Sequence, residues 1–305
     1  MEKLIQDLIK ERVNETESLN IDDYNKIVSL YSENTNLGEY IKEVIFRDSL
    51  GSGYIQNLQQ IAQYNPAEKT IEISKEGLQR QTDRLAKQLE YIFDINDFIK
   101  YISLQAAQFF FHELEHVFQE QKINEPDNSI ESKLLRATEL DLPYLLDQAI
   151  EECEKNGTSI DKFMNAKRDS FIECYKKNYD IVLRERLAQL RSIKRIRNTI
   201  KDLDINPTIA TIFANQEINE MKKGYVLNGY YSVGPTLEYM DKLAYSKLII
   251  PTNSEYYDEN KVKAFVELKQ KLSAEERIEY GLPISLQEYN NIEEEVTKTL
   301  LKKSI

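Results

Sequence analysis

Tryptophan is absent from this 305-residue chain, cysteine and histidine occur only twice each, and glycine and proline are sparse at nine and seven. The two cysteines, Cys153 and Cys174, are too few for a secreted disulfide scaffold and read as reduced thiols. Scarce Gly and Pro beside 41% hydrophobic and 30% charged residues exclude a linker or a low-complexity chain and describe a helix-rich globular protein. No apolar run approaches the roughly 20 residues that span a bilayer. The first ten residues, Met1 to Lys10, carry charges throughout and no apolar core ahead of a small-residue cleavage site. The expectation is a cytoplasmic protein with no membrane partner. Positive charge is also short: 40 Lys and Arg face 52 Asp and Glu, a net charge of -12. Phosphate neutralisation needs a basic surplus, so no nucleic-acid partner is expected. The one basic stretch, Arg191 to Arg197, has Ile193 and Ile196 interleaved at helical spacing and reads as the solvated side of an amphipathic helix.

Periodicity organises what remains. Within residues 1–50, Leu4, Leu8 and Val13, then Tyr24, Ile27, Val28 and Tyr31, recur at helical spacing and predict short amphipathic helices. Strand candidates follow at Tyr54 to Tyr64 and Thr70 to Ile73, joined by an Asn65-Pro66-Ala67-Glu68-Lys69 turn. A helix is predicted over 78–91 and another over 97–121, with Phe98, Ile102, Ala106, Phe109 and Phe110 as its buried stripe. The segment around Pro126 breaks the chain. Beyond it the pattern reads as helices at 130–155, 158–177, 180–202, 207–223, 235–246, 260–272 and 285–302, with capping boxes at Ser273/Glu276 and Ser285/Glu288. The fold class is therefore α+β and predominantly helical, with residues 1–125 carrying the small sheet and 126–305 forming a helical subdomain.

Both histidines fall in one run, His112-Glu113-Leu114-Glu115-His116. Two randomly placed residues in a chain of this length fall four apart about once in 150 tries, and a Glu after the first cuts that to roughly one in 2,000. Residues four apart on a helix stand one above the other, so both imidazoles can reach one ion at Zn–N distances of about 2.0–2.1 Å. Glu113 points about a quarter turn away, off the metal yet beside the position where water would bind, which is where a general base belongs. The expected cofactor is Zn²⁺ and the expected chemistry is attack of an activated water on a carbonyl, with Glu113 taking the proton and passing it to the leaving amine.

Phe111-His112-Glu113-Leu114-Glu115-His116-Val117-Phe118-Gln119 resembles the active-site helix of the zincin metallopeptidases. Their common plan is a small sheet, the motif helix and a helical lower subdomain. The resemblance covers the organisation of about residues 54–200. It implies His112 and His116 as ligands, Glu113 as base, and a peptide or protein substrate. No third histidine exists, which excludes the three-histidine subclass; Lys122 occupies the position six beyond His116. Resemblance to the gluzincin branch implies a Glu on a later helix. Glu185 is the leading candidate, in a helical segment where Leu183, Leu187 and Leu190 are close in phase and Ala188 leaves room. Glu173, Glu151 and Glu152 remain alternatives, as do Cys153 and Cys174. Gluzincins often place an acidic residue one turn after this ligand; here that position is Gln189.

An oxyanion-stabilising group would be Tyr or Arg, with Tyr230 and Tyr231 in an expected loop as candidates. Tyr54 to Leu58 could form part of a sheet edge that takes an extended peptide. Two other functions share the pattern: a non-catalytic binding or regulatory protein on a zincin scaffold, and a zinc hydrolase of non-peptide amides.

Overall fold

In the computed structural model of the chain, the described residues are 1–50, 61–137, 183–201, 203–230, 267, 271–280 and 287. The chain divides into two compact units, Met1–Glu125 with Leu187–Glu220, and Pro126–Arg186 with Met221–Ile305.

The first unit opens with helices α1 (Glu2–Asn14) and α2 (Ile21–Asn34). α1 buries Ile5, Leu8, Ile9 and Val13, while Leu4, expected in its stripe, faces solvent. α2 starts at a capping box: Asn20 accepts hydrogen bonds from the Asp22 and Asp23 amides, and the Asp23 carboxylate accepts one from the Asn20 amide. Asp23 is buried, and its charge is matched by Arg12 of α1 at 2.9 Å. Tyr24, Ile27, Val28 and Tyr31 form the buried face that their spacing predicts.

A three-stranded sheet of order β1-β3-β2 follows: β1 (Glu43–Arg47) is parallel to β3 (Thr70–Ser74), and β2 (Ala62–Asn65) is antiparallel to it. β1 corrects the all-helical expectation for residues 1–50. Val44, Ile45 and Phe46 favour extended backbone, and the Asn25 side chain of α2 binds both the Val44 amide (2.7 Å) and its carbonyl (3.2 Å). The expected hairpin is present. The Glu68 amide donates to Asn65 Oδ1, and Lys69 takes a left-handed φ of 57° that returns the chain into β3. Residues 51–60, most of the longer strand expected there, lie outside the described residues. β3 is buried along its whole length, and its Glu72 is matched by Arg47 at 2.7 Å and Gln63 at 2.6 Å.

Ser74 hands the sheet over to helix α3 (Lys75–Leu89). Its amide donates to the Ile61 carbonyl at 2.8 Å, and its fully buried Oγ accepts from the Gly77 amide at 2.9 Å. Loss of such a cap costs about 1 kcal/mol. Ser74→Ala is therefore expected to lower unfolding free energy by about that amount, read from the shift of a urea midpoint at unchanged slope.

Helix α4 (Ile95–Asn124) carries the His-Glu run and packs against β2, β3, α1 and α3. Asp94 caps it by accepting from the Asp97 amide at 2.8 Å. The expected buried stripe needs correction: of Phe98, Ile102, Ala106, Phe109 and Phe110, only Phe110 is fully buried. The deepest side chains, Leu104, Ala107, Phe110, Phe111, Leu114 and Val117, form one face about 140° wide that is rotated by roughly 110° from the expected stripe and meets it at Phe110. Helix α6 (Leu183–Ile200) and helix α7 (Pro207–Tyr230) come later in the chain. α7 runs seven residues past the predicted end at 223, through Gly224, a residue that a helix interior tolerates at roughly 1 kcal/mol.

In the second unit the described helices include α5 (Ile130–Ala137), whose Ser132 amide donates to Ser129 Oγ, and α8 (Ala274–Glu279). The expected capping box is present there. The Ser273 amide donates to Glu276 at 2.8 Å and the Glu276 amide to Ser273 Oγ at 3.2 Å. The expected helices at 158–177 and 235–246, the greater parts of those at 130–155, 260–272 and 285–302, and the Ser285/Glu288 box lie outside the described residues. No helix among the described residues is long and apolar enough to cross a membrane.

Candidate metal centre

Successive helical residues are rotated by about 100°. On α4, His112 and His116 therefore lie within about 40° of one another, and Glu113 and Glu115 flank them on opposite sides. The two imidazoles meet edge to face at 81°, with ring centroids 4.9 Å apart and Nε2 atoms 3.2 Å apart. His112 is buried and His116 half-buried.

The third residue comes from α6. This helix is continuous from Leu183 and belongs to the first unit from Leu187 onward. Glu185 stands in its first turn, where aligned amide dipoles favour a carboxylate. His112, His116 and Glu185 each offer a ligand atom, and all three atoms lie within 4.8 Å of one another. Among the described residues this is the group of His, Cys, Asp and Glu side chains that could hold an ion.

The group fits zinc on two counts. Ligands at about 2.0–2.1 Å in a tetrahedron stand about 3.3 Å apart, close to the 3.2 Å between the two Nε2 atoms. Two imidazoles and one carboxylate also make a three-residue set that leaves the fourth position open, the pattern of catalytic rather than structural zinc.

The surroundings orient one of these imidazoles. His116 Nδ1 lies 3.0 Å from Gln119 Oε1, and Gln119 is fully buried. With Nε2 committed to an ion, Nδ1 carries the proton and donates to that oxygen, which sets both tautomer and ring orientation. Gln119→Leu is expected to weaken zinc binding about 10- to 100-fold, the usual effect of removing an outer partner, measured by competition with a chromophoric chelator.

Glu113 faces the sheet. Its Oε2 accepts a hydrogen bond from the Tyr64 amide at 2.8 Å. Antiparallel neighbours alternate between bonding inward and facing outward. With the Ser74 amide bonded to the Ile61 carbonyl, Ala62 and Tyr64 present their backbone groups on the side of β2 away from β3. Among the described residues β2 is an edge strand of the sheet, and its outer side lies beside Glu113. Next to it, a groove of about 850 Å³ is bordered by Tyr64 and Pro66, by Tyr40, by Glu120 of α4 and by Glu125 just past its end. Glu120 is one turn beyond His116 on the same helix face. Burial and the nearby Glu125, Glu120 and Glu39 raise the Tyr40 hydroxyl pKa above its ordinary value.

Glu115 faces the other way, toward α6. It is 3% exposed and ion-paired with Arg195 at 3.0 Å and Arg191 at 3.4 Å. This corrects the reading of Arg191 to Arg197 as a solvated basic face: Arg191 and Arg195 turn to Glu115, and Arg197 pairs with Glu217 of α7. The two pairings with Glu115 join residues 76 and 80 positions apart, which a helical pattern cannot announce. Gln119, three residues after His116 and hence its neighbour on the helix, was within reach of spacing alone.

Of the other candidates, Tyr230 is the last residue of α7 rather than part of a loop. Tyr231, Tyr54 to Leu58, Glu151, Glu152, Glu173, Cys153 and Cys174 lie outside the described residues. Compared with protein-family models, curated proteins and solved structures, the chain shows no match.

Proposed function

We propose that this protein is a zinc-dependent peptidase in which His112, His116 and Glu185 hold the metal and Glu113 is the general base. The observation that carries the proposal is the meeting of two imidazole Nε2 atoms 3.2 Å apart with a carboxylate recruited from a distant helix. The resemblance of the His112–His116 run to zincin metallopeptidases, and of the ligand set to the gluzincin branch, points the same way. A zinc ion in such a site supplies a Lewis acid and lowers the pKa of water toward about 7.

The protein's own groups do the rest. Tyr64 holds Glu113 Oε2 through its amide, and Oε1 is the oxygen that would receive the proton of the attacking water. The same carboxyl then delivers that proton to the departing amine. An extended peptide can add to the outer side of β2, bonding to the backbone groups that Ala62 presents there, which places a peptide carbonyl alongside the base. The strand edge favours a peptide over a compact amide, because it pairs with extended backbone.

Metal analysis of the purified protein tests the reading most directly. About one zinc per chain, removable by a chelator together with peptide hydrolysis, is expected. A protein free of zinc after purification and dialysis against it would sink the proposal.

A further inference from the structure

The Glu115 carboxylate lies inside the metal motif, is buried, and takes no part in the chemistry proposed above. We infer that it is a positioning residue: clamped by Arg191 and Arg195, it fixes α6 against α4 so that Glu185 reaches the two histidines. The inference rests on the proposed ligand set.

Its geometry is specific. Glu115 is the residue immediately before His116, and each of its two oxygens meets a different arginine: Oε1 pairs with Arg195 and Oε2 with Arg191. Both arginines are on the helix that carries Glu185, six and ten residues further along. At 1.5 Å per residue these are lever arms of about 9 and 15 Å. A tilt of about 5° about the clamp would displace Glu185 by about 1 Å, several times the ±0.2 Å that a zinc ligand distance allows.

The outer end of the clamp is also fixed. Arg195 stacks over the Phe111 ring at 5.1 Å and the Tyr31 ring at 5.7 Å, meets the Tyr31 hydroxyl, and reaches Glu2 at 3.3 Å. Tyr31 in turn donates to Glu2 at 2.7 Å. A guanidinium so held cannot follow Glu115 if α6 shifts, so the pair transmits position rather than yielding. Burial makes the arrangement costly to disturb: removing one partner of a buried ion pair leaves the other charge uncompensated.

The test is a double-mutant cycle on zinc affinity. Glu115→Gln keeps the shape and removes the charge. In the otherwise unaltered chain it is expected to weaken zinc binding about 10- to 100-fold and to alter the visible spectrum of the cobalt-substituted protein, which reports coordination geometry. In a Glu185→Ala background, where the third ligand is already gone, the same change is expected to leave zinc affinity within about twofold. Equal losses in both backgrounds, or none in either, would overturn the inference.

Should Glu115→Gln unfold, Arg191→Gln removes the longer, 3.4 Å arm alone and is run through the same cycle, with a smaller loss expected in the chain that retains Glu185. Circular dichroism and the melting temperature of the metal-free proteins separate misfolding from misplacement. Failure of the starting protein to bind zinc would refute the ligand set. Normal binding by the starting protein with no effect of Glu115→Gln would refute only the clamp.

Discussion

Glu113→Gln is expected to retain about one zinc per chain while peptide hydrolysis falls by about 10²- to 10⁴-fold, the range that a general base contributes. The amide has the shape of the carboxylate, so the Tyr64 amide keeps an oxygen acceptor at its 2.8 Å position, and the edge of β2 stays where it is. What is lost is the ability to take up a proton at the free oxygen. The loss should therefore appear in kcat rather than in KM, because substrate binding along the sheet edge is untouched. Measuring kcat, KM and metal content on the same preparation checks all three. A variant that loses zinc as well as activity would mean that Glu113 is a ligand or a structural anchor, and the assignment of the base would fall.

His116→Ala is expected to act one step earlier, by removing the metal. One of two converging Nε2 atoms disappears and the site is left with His112 and Glu185. A first-hand ligand should cost more than the 10- to 100-fold attached to an outer partner such as Gln119. Stoichiometric zinc should not survive dialysis, and hydrolysis should be undetectable. Added zinc should also stop raising the melting temperature, since a ligand stabilises only the state that binds it. Retention of a full zinc equivalent by this variant would place the metal elsewhere. Taken together, the two variants separate the residue that moves a proton from the residue that holds an ion, a distinction that activity alone cannot draw.

The parts of the fold that were legible in the sequence are those fixed by near neighbours. The histidines stand four apart on a helix, the Asn65 to Lys69 turn joins β2 to β3, and the Ser273/Glu276 box starts α8. Each depends on groups within a few residues of one another. β1 was hidden because Val44, Ile45 and Phe46 are too few to show alternation. Their strand exists through pairing with β3 and through Asn25, some 19 residues upstream. The roles of Arg191 and Arg195 were hidden for a related reason. An arginine on a helix looks the same in sequence whether it meets water or a carboxylate 80 residues away. Glu185 lies between these cases. Its helix was readable, but its approach to His112 and His116 depends on the packing of α4 and α6.

The division of the chain has a consequence for how the proposed metal centre would come into being. The first unit leaves off at Glu125 and resumes at Leu187, so the 61 residues from 126 to 186 must be made before its own sequence continues. During synthesis the two histidines emerge early and the arginines that meet Glu115 emerge late. A nascent chain therefore carries an exposed pair of imidazoles, able to hold an ion only loosely, until α6 is released from the ribosome. In the proposed reading, the third ligand joins the two histidines only after α6 has been made, so a peptidase built on this site would stay inert until then.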